Sequence, residues 1–317
     1  MIVLLFLITI LVVFIIVWRY KLHAKAGKAN ISKEDANKTS RLVTQSGQVE
    51  QLINATKSFL EENTNDHIHE TFKLMKSSAE LGDIGAQFEL GMMYYNGVGV
   101  DQNKLKAIKW YKMSAEQGFE EAQFALGLIY MTGDCVVEDK REALKWYTMA
   151  ANSGFAPAQY NLGLIFYSGD GVVQDKRKAF MWYKLAAEHG LSSAQLNLGQ
   201  MYRNGEGINQ DMREAYKLFK LAAEQGEPGA QYLLGLMYAI GQGTSLNYEQ
   251  AYFWFLLACE RVDDEYIDDT IESCNLASKQ LNLRQRKRIE RQVDEYNKGR
   301  VRKSFVFDKS CYCVEYF

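Results

Sequence analysis

Proline and histidine are scarce in this sequence, and its net charge is small. Two prolines in 317 residues exclude a proline-rich linker protein, and with 24 glycines they suit long helices punctuated by glycine. Lysine and arginine (37) nearly balance aspartate and glutamate (39), so the net charge of −2 gives no global attraction to nucleic acid, and no nucleic acid partner is expected. Five cysteines, an odd number spread widely, do not make a disulfide framework. With 47% hydrophobic and 24% charged residues, the chain is neither disordered nor fibrous.

Residue sets that carry chemistry are also missing from the sequence. No Ser/His/Asp or Cys/His set recurs at special positions, and the Gly-x-Gly pairs lack the Gly-Lys-Ser/Thr of a phosphate-binding loop. His67, His69 and Glu70 stand at an expected helix start, and Cys311 and Cys313 are too close together for a zinc site. The sequence therefore predicts a protein that is not an enzyme, with no catalytic residue, no cofactor and no metal.

The chain begins with an apolar run from Ile2 to Trp18. As a helix this run reaches about 26 Å, a little short of the ~30 Å hydrocarbon core, and flanking residues up to Lys21 can close the gap. We therefore predict a transmembrane anchor over residues 1–21. Lysine and arginine follow the run but do not precede it, which predicts a single-pass membrane protein whose repeat domain faces the cytoplasm. The alternative is a signal peptide cleaved near Ala26, with a periplasmic or secreted body.

Residues 22–65 are polar and predict a linker that contains one short amphipathic helix. From Gln48 to Leu60 the apolar residues recur at helical spacing. Such a helix would either pack against the part of the chain that follows or pair with a partner, and both interpretations stay open.

A period of 36 residues runs through the following part of the sequence. An Ala-Gln pair recurs five times in phase, beginning at Ala86, Ala122, Ala158, Ala194 and Ala230. A Leu-Gly pair starts four residues after each alanine, and an aromatic residue stands eight residues after it. All three therefore lie along one stripe of a helix, the first helix of each unit, which we call helix A.

A second helix, helix B, follows a glycine-rich turn in each unit. Its predicted N-cap residues are Asn103, Asp139, Asp175, Asp211 and Asn247. Each helix B carries an alanine on its core face and, three residues later, a pair of large residues that is aromatic in four units and Leu218-Phe219 in the other. A glycine ends helix B in the first four units, and the last unit has no such glycine. A glycine inside helix A costs about 1 kcal/mol relative to alanine. We therefore expect that glycine to allow a bulky Trp or Tyr of a neighbouring helix to approach closely.

The repeat array has an incomplete start and a divergent end. The residue pattern of helix B is recognisable from near Asp66, and the match to the 36-residue repeat weakens after Glu260. We predict a partial cap and five units over residues 66–262, capping helices over 263–298, and a tail over 299–317 that fits no repeat column.

The repeat pattern is A-Q-x-x-L-G-x-x-Y-x-x-G-x-G-V-x-x-D-x-x-K-A-x-x-W-Y-x-x-A-A-E-x-G, matched best from Ala158 to Gly190. In this pattern the chain resembles the Sel-1-like repeat family, relatives of tetratricopeptide repeats, over about residues 66–298. The resemblance implies an all-α fold, an α/α superhelical solenoid of 36-residue helix-turn-helix repeats, here preceded by one N-terminal transmembrane helix. It also implies a scaffold for protein complexes, with a protein or peptide as the ligand.

In relatives of this family helix A lines the concave side, so one face of helix A is the candidate groove for a partner. Three columns of helix A, at i, i+3 and i+7, lie away from the core stripe and vary between units. The candidate groove residues are Glu89, Met92, Asn96, Leu128, Asn161, Leu164, Asn197, Gln200 and Asn204. Asn161 and Asn197 repeat at one position, as would suit donors to a peptide backbone. Ordinary packing between repeats explains these columns equally well.

A basic tract near the C-terminus is a second candidate surface. Its residues include Arg284, Arg286, Lys287, Arg288 and Arg291. An acidic tract from Glu260 to Glu272 precedes it, so two solvated cap faces that attract one another are the simpler interpretation. Contact with anionic lipid is the other, and it suits a body that faces the cytoplasm.

Overall fold

The computed structural model describes residues 68–260 and 267–304, and every regular element in these ranges is an α-helix. Ten of the helices form five pairs. The first members, the A helices, are α2 (Ile84–Asn96), α4 (Glu120–Thr132), α6 (Ala156–Ser168), α8 (Ser192–Asn204) and α10 (Pro228–Ile240). The second members, the B helices, are α3 (Lys104–Glu116), α5 (Lys140–Asn152), α7 (Lys176–Glu188), α9 (Met212–Gln225) and α11 (Tyr248–Cys259). The other helices are α1 (68–80), α12 (Ile267–Lys279) and α13 (Leu283–Ser304).

Several predicted segments lie outside the described residues. These are the anchor over 1–21, the linker over 22–65 with its helix from Gln48 to Leu60, and the tail beyond Ser304. Within the described ranges, no helix combines the length and the apolar character needed to cross a bilayer.

The pairs stack in chain order, which confirms the predicted helical repeat. Each A helix packs against the B helix of its own pair, and α4, α6, α8 and α10 also pack against the B helix that precedes them. All five predicted N-cap side chains accept hydrogen bonds of 2.9–3.1 Å from backbone N–H groups in the first turn of helix B. Each such cap stabilises its helix by about 1 kcal/mol. The glycine that ends each A helix is left-handed, with φ between 69° and 78°.

A glycine in the middle of each A helix contacts an aromatic ring of its own B helix. The contacts join Gly91 to Tyr111, Gly127 to Tyr147, Gly163 to Tyr183, Gly199 to Phe219 and Gly235 to Phe255. A methyl group added to any of these glycines would come within 2.7 Å of the ring. All five rings are at most 1% exposed, so the glycine is what lets the core of each unit close. The prediction of close approach is confirmed, with the second aromatic residue of each pair as the contact.

The glutamine of each Ala-Gln pair joins one unit to the next. Its side-chain amide donates to a backbone carbonyl near the end of the preceding B helix, eight residues earlier, as Gln87 does to Ala79 and Gln123 does to Ala115. The same contact recurs at Gln159, Gln195 and Gln231. The last carbonyl groups of a helix have no hydrogen-bond partner within the helix. The amide of the buried glutamine donates a hydrogen bond to one of them.

Helix α13 departs from the repeat. It runs parallel to α11, since Arg288 pairs with Glu249 at 2.6 Å near one end and Asn297 donates to Glu260 at 2.6 Å near the other. It continues to Ser304 and so takes in the first residues of the region predicted as a tail.

A methyl group at the central glycine tests the glycine contact directly. We expect Gly163→Ala to lower the free energy of unfolding by about 1–3 kcal/mol, because Tyr183 must move from its buried site. Gly85→Ala is the matched control, since its added carbon meets only Asp83 Oδ1 at 3.6 Å and alanine favours a helix. Denaturant unfolding measures both variants, and equal stability of the two would contradict the role of the glycine.

A substitution that supplies a hydrogen-bond donor to one of the buried glutamines should stabilise the protein. Gln117 donates to Oε1 of Gln87 at 2.7 Å, whereas the equivalent residue near Gln123 is Ser153, and Oε1 of Gln123 has no hydrogen-bond partner among the described residues. We expect Ser153→Gln to supply the donor and raise the free energy of unfolding by about 1 kcal/mol. Thermal melting should show this gain but none for the neighbouring exposed change Asn152→Gln.

Candidate partner-binding face

The nine candidate groove residues lie on one side of the A helices α2, α4, α6 and α8, which we call the A face. Four of the nine are exposed, namely Glu89, Asn96, Leu164 and Asn204. The remaining five are half-buried, namely Met92, Leu128, Asn161, Asn197 and Gln200. Two other members of the same columns, Ala125 and Leu233, are buried. The accessible part of the face therefore differs from unit to unit, while the columns beneath it stay constant.

The two repeated asparagines contact tyrosine hydroxyl groups of the core. Asn161 hydrogen-bonds to Tyr147 of the preceding unit. Asn197 contacts the Tyr160 hydroxyl at 3.4 Å and also hydrogen-bonds to Tyr183. Burial raises the pKa of Tyr147 to about 12, and the bond to Asn161 opposes that shift. These asparagines therefore contact tyrosines of neighbouring helices.

Packing does not use all of the hydrogen-bonding capacity of these amides. A side-chain amide offers two N–H donors and an oxygen that accepts two hydrogen bonds. Asn161 and Asn197 are half-buried, so each residue keeps some exposed surface.

Two glutamates whose pKa is raised by burial lie near the N-terminal end of the A face. Burial raises the pKa of Glu89 and of Glu121, because a partly dehydrated carboxylate is less stable when charged. Oε2 of Glu121 is buried and has no hydrogen-bond partner among the described residues. Glu121 stands seven residues before Leu128, on the same side of α4, and sequence reasoning missed it. The variation at its column, where the other units have Gly85, Pro157, Ser193 and Gly229, was the available signal.

Ion pairs join the start of a B helix to the turn of the next unit along one edge of the array. The first lysine of a B helix binds the acidic residue in the next turn: Lys104 binds Asp134 at 2.9 Å, Lys140 binds Asp170 at 2.6 Å, and Lys176 binds Glu206 at 3.0 Å. Tyr95 also donates to Asp134, and the hydrogen bonds from Tyr95 and Lys104 lower the pKa of that carboxyl. These contacts fix the spacing of successive units and so the spacing of the A face.

One turn of this edge carries a cysteine in place of its second glycine. Cys135 has φ 61°, a left-handed conformation that L-residues rarely adopt, and its side chain is exposed. Its Sγ lies 3.5 Å from Oδ1 of Asp134. Burial and the neighbouring carboxylate raise the pKa of the thiol, which does not favour a reactive thiolate.

The basic tract lies on α13, and one of its arginines already forms an ion pair. Arg288 pairs with Glu249 of α11 at 2.6 Å. Arg284, Lys287 and Arg291 are exposed, and Arg286 is half-buried with its Nε buried and without a hydrogen-bond partner in the described ranges. The exposed members are thus accessible to an anionic surface.

No group of three or more potential metal ligands occurs in the part of the chain that the structure describes. His69, one of the candidates from the sequence, lies with its Nδ1 3.1 Å from the carbonyl oxygen of Gly99. His67 lies outside the described residues.

Comparison with known proteins agrees with the fold and the repeat. The sequence profile of the Sel1 repeat family matches five consecutive segments that together make up more than half of the chain, residues 84–119, 120–155, 156–191, 192–227 and 228–263. The chain therefore belongs to the Sel1 repeat family. Proteins of this family are generally protein-interaction scaffolds, and their fold is typically non-enzymatic.

Two solved structures resemble the chain over most of the array. A Sel1 repeat protein from Oxalobacter formigenes is 31% identical, with a TM-score of 0.59, over 65% of this chain and 87% of the other. The protein c5321, a protective antigen of uropathogenic Escherichia coli with an SLR fold, is 28% identical, with a TM-score of 0.50, over 77% of this chain and 60% of the other. No curated protein matches the chain.

The turn contact at Asp134 predicts a stability change that depends on pH. Because the folded-state pKa of Asp134 is lowered, its contribution is present at pH values above its ordinary pKa of 3.8 and is lost as pH falls through the folded value. We expect Asp134→Asn to lose about 1 kcal/mol at pH 7 and progressively less below pH 3.8. Asp170→Asn is the control, because its ion pair is more exposed and Met131 stands where Tyr95 stands at Asp134. Unfolding curves across pH that show equal losses for both variants would contradict the contribution of Tyr95.

Proposed function

We propose that this protein is a non-enzymatic, membrane-anchored scaffold that binds a protein or peptide through the A face. The observation that supports this is the contrast between two sets of columns in the same helices. The glycine, glutamine and alanine columns are constant because they close the core, whereas the accessible columns vary: Glu89 corresponds to Asn161, and Asn96 corresponds to Ser168 and Ile240. Packing alone does not require such variation at accessible positions.

The partner we propose carries a basic side chain near the N-terminal end of the A face. Burial raises the pKa of Glu89 and of Glu121, and a lysine or arginine that bound beside either carboxylate would compensate its charge. Leu128 and Leu164 then offer apolar contacts, and Asn161 and Asn197 offer amide groups to a peptide backbone.

The membrane part of the proposal comes from the sequence. The apolar segment over 1–21, followed by basic residues, supports a single-pass anchor with the repeat domain in the cytoplasm. The exposed Arg284, Lys287 and Arg291 of α13 then suit contact with anionic lipid, because each basic residue near such a surface contributes about 1 kcal/mol. A cleaved N-terminus with a periplasmic or secreted body is the alternative, and fractionation with a reporter fused after Phe317 separates the two.

Crosslinking from two positions of the same unit tests the binding face. A photoreactive amino acid at Leu164, 39% exposed on α6, should capture a partner, whereas one at Met181, 64% exposed on helix B of that unit, should not. Leu164→Glu should lower the affinity for the captured protein at least tenfold with an unchanged Tm, and Met181→Glu should change neither. Capture from Met181 alone, or an affinity insensitive to Leu164→Glu, would contradict the proposal.

The basic character of the partner has its own test. Glu121→Gln removes the charge that a cationic side chain would compensate, so we expect weaker binding of the captured protein but a stability at pH 7 that is equal or higher, because a dehydrated charge is removed. Binding should be measured by titration calorimetry. Unchanged affinity would rule out a cationic contact at this position.

A further inference from the structure

Helix α12 has the position of a sixth helix A. Thr270 lies 36 residues after Leu234 of α10, and both side chains are 0% exposed. Cys274, which is 8% exposed, belongs to the same apolar cluster as Phe255 of α11. Helix α12 packs against α11 just as α10 packs against α9. It keeps this position although its sequence has lost the Ala-Gln and Leu-Gly pairs of the repeat.

A change in the glycine column explains why α13 does not close a unit with α12. Ile271 stands where the central glycine of a helix A stands, and Arg291 of α13 stands where the buried ring of a helix B stands. The contact between glycine and ring therefore cannot form between these two helices. Helix α13 packs against α11 instead, and both Ile271 and Arg291 are exposed. Among the described helices, α12 is thus the last one in an A position.

The three columns of the A face continue onto α12. Their residues in α12 are all exposed, namely Asp269, Glu272 and Leu276. In α10 the same columns are apolar, namely Leu233, Leu236 and Ile240. Ile240 is 59% exposed and Leu276 is 54% exposed, and the two helices that carry them contact each other. This end of the face therefore presents two large apolar side chains together with two carboxylates.

The two carboxylates have no cationic partner in the part of the chain that the structure describes. Arg288 of the basic tract binds Glu249 of α11. Asp269 also stabilises the first turn of α12, but Glu272 lies one turn further along, where the effect of a helix N-terminus has faded. Because exposed apolar side chains with a charged border mark binding surfaces, this end of the face fits a partner of the opposite charge.

We propose that the A face extends over α10 and α12, and that this end binds an apolar side chain flanked by lysine or arginine in the partner. The inference rests on the proposed function, because it adds two helices to the same binding face. Ile240 and Leu276 contact the apolar side chain, and Asp269 and Glu272 bind the cations. The other end of the face carries the glutamates of α2 and α4. A partner that spans the face is therefore basic at both ends of its bound segment.

Two labelled peptides test this chemistry without any knowledge of the natural partner. Both have nine residues, one alternating arginine with leucine and the other alternating glutamate with leucine. Fluorescence anisotropy with the full chain should show at least tenfold tighter binding of the arginine peptide. Asp269→Asn with Glu272→Gln should weaken that binding at least fivefold, and added salt should have a smaller effect on this variant because two exposed charges are missing.

The matched control removes two carboxylates from B helices. Glu188→Gln with Glu224→Gln changes the net charge by the same amount, and these side chains are 59% and 49% exposed. This variant should bind the arginine peptide within twofold of the unchanged protein. Equal losses in the two double variants, a preference for the glutamate peptide, or no binding of the arginine peptide would overturn the inference.

Crosslinking separates this inference from the proposed function. A photoreactive amino acid at Leu276 should capture the same protein as one at Leu164, whereas one at Leu221, 50% exposed on helix α9, should not. Capture from Leu164 but not from Leu276, or equal capture from Leu221, would overturn the extension and leave the proposed function standing. Capture from neither Leu164 nor Leu276 would contradict the proposed function and the extension together.

Discussion

The contact between a helix A glycine and a helix B aromatic ring is the constraint on which the rest of the structure depends. At the five central glycines the ring occupies the space that any other residue would fill with its Cβ. The ring is then buried against the glycine of helix A. The intrinsic cost of a helical glycine, about 1 kcal/mol, is small beside the roughly 1.5–3 kcal/mol gained when a large apolar side chain is buried.

Once each pair is closed, separate polar contacts join the pairs. The buried glutamines bind carbonyls at the end of the preceding B helix, and the lysines at the start of each B helix bind acids in the next turn. One contact lies near each end of the B helices, so the relative orientation of neighbouring units is defined at two points. The A face is the surface that this stacking leaves free to vary, which is why variation and accessibility coincide in the column that holds Asn96, Ser168 and Ile240.

Much of the fold could be predicted because its signals are local and repeated. The N-caps at Asp139 and Asp175 and the glycine at 163 each act through one residue type at one backbone position, and five copies in phase separate them from chance. The role of Gln123 could not be predicted, because its partner is a backbone carbonyl that becomes adjacent only after the units stack. The same holds for the contact of Asn161 with Tyr147, and for α13, whose packing on α11 has no precedent in the repeat.

We propose that partner binding uses the A face while the B helices serve the core. Hydrogen exchange of the full chain, alone and with the protein captured from position 164, measures this most directly. We expect the partner to slow exchange in α2, α4, α6 and α8 and to leave the rates of α5, α7 and α9 unchanged. Slower exchange confined to the B helices or to α13 would contradict it.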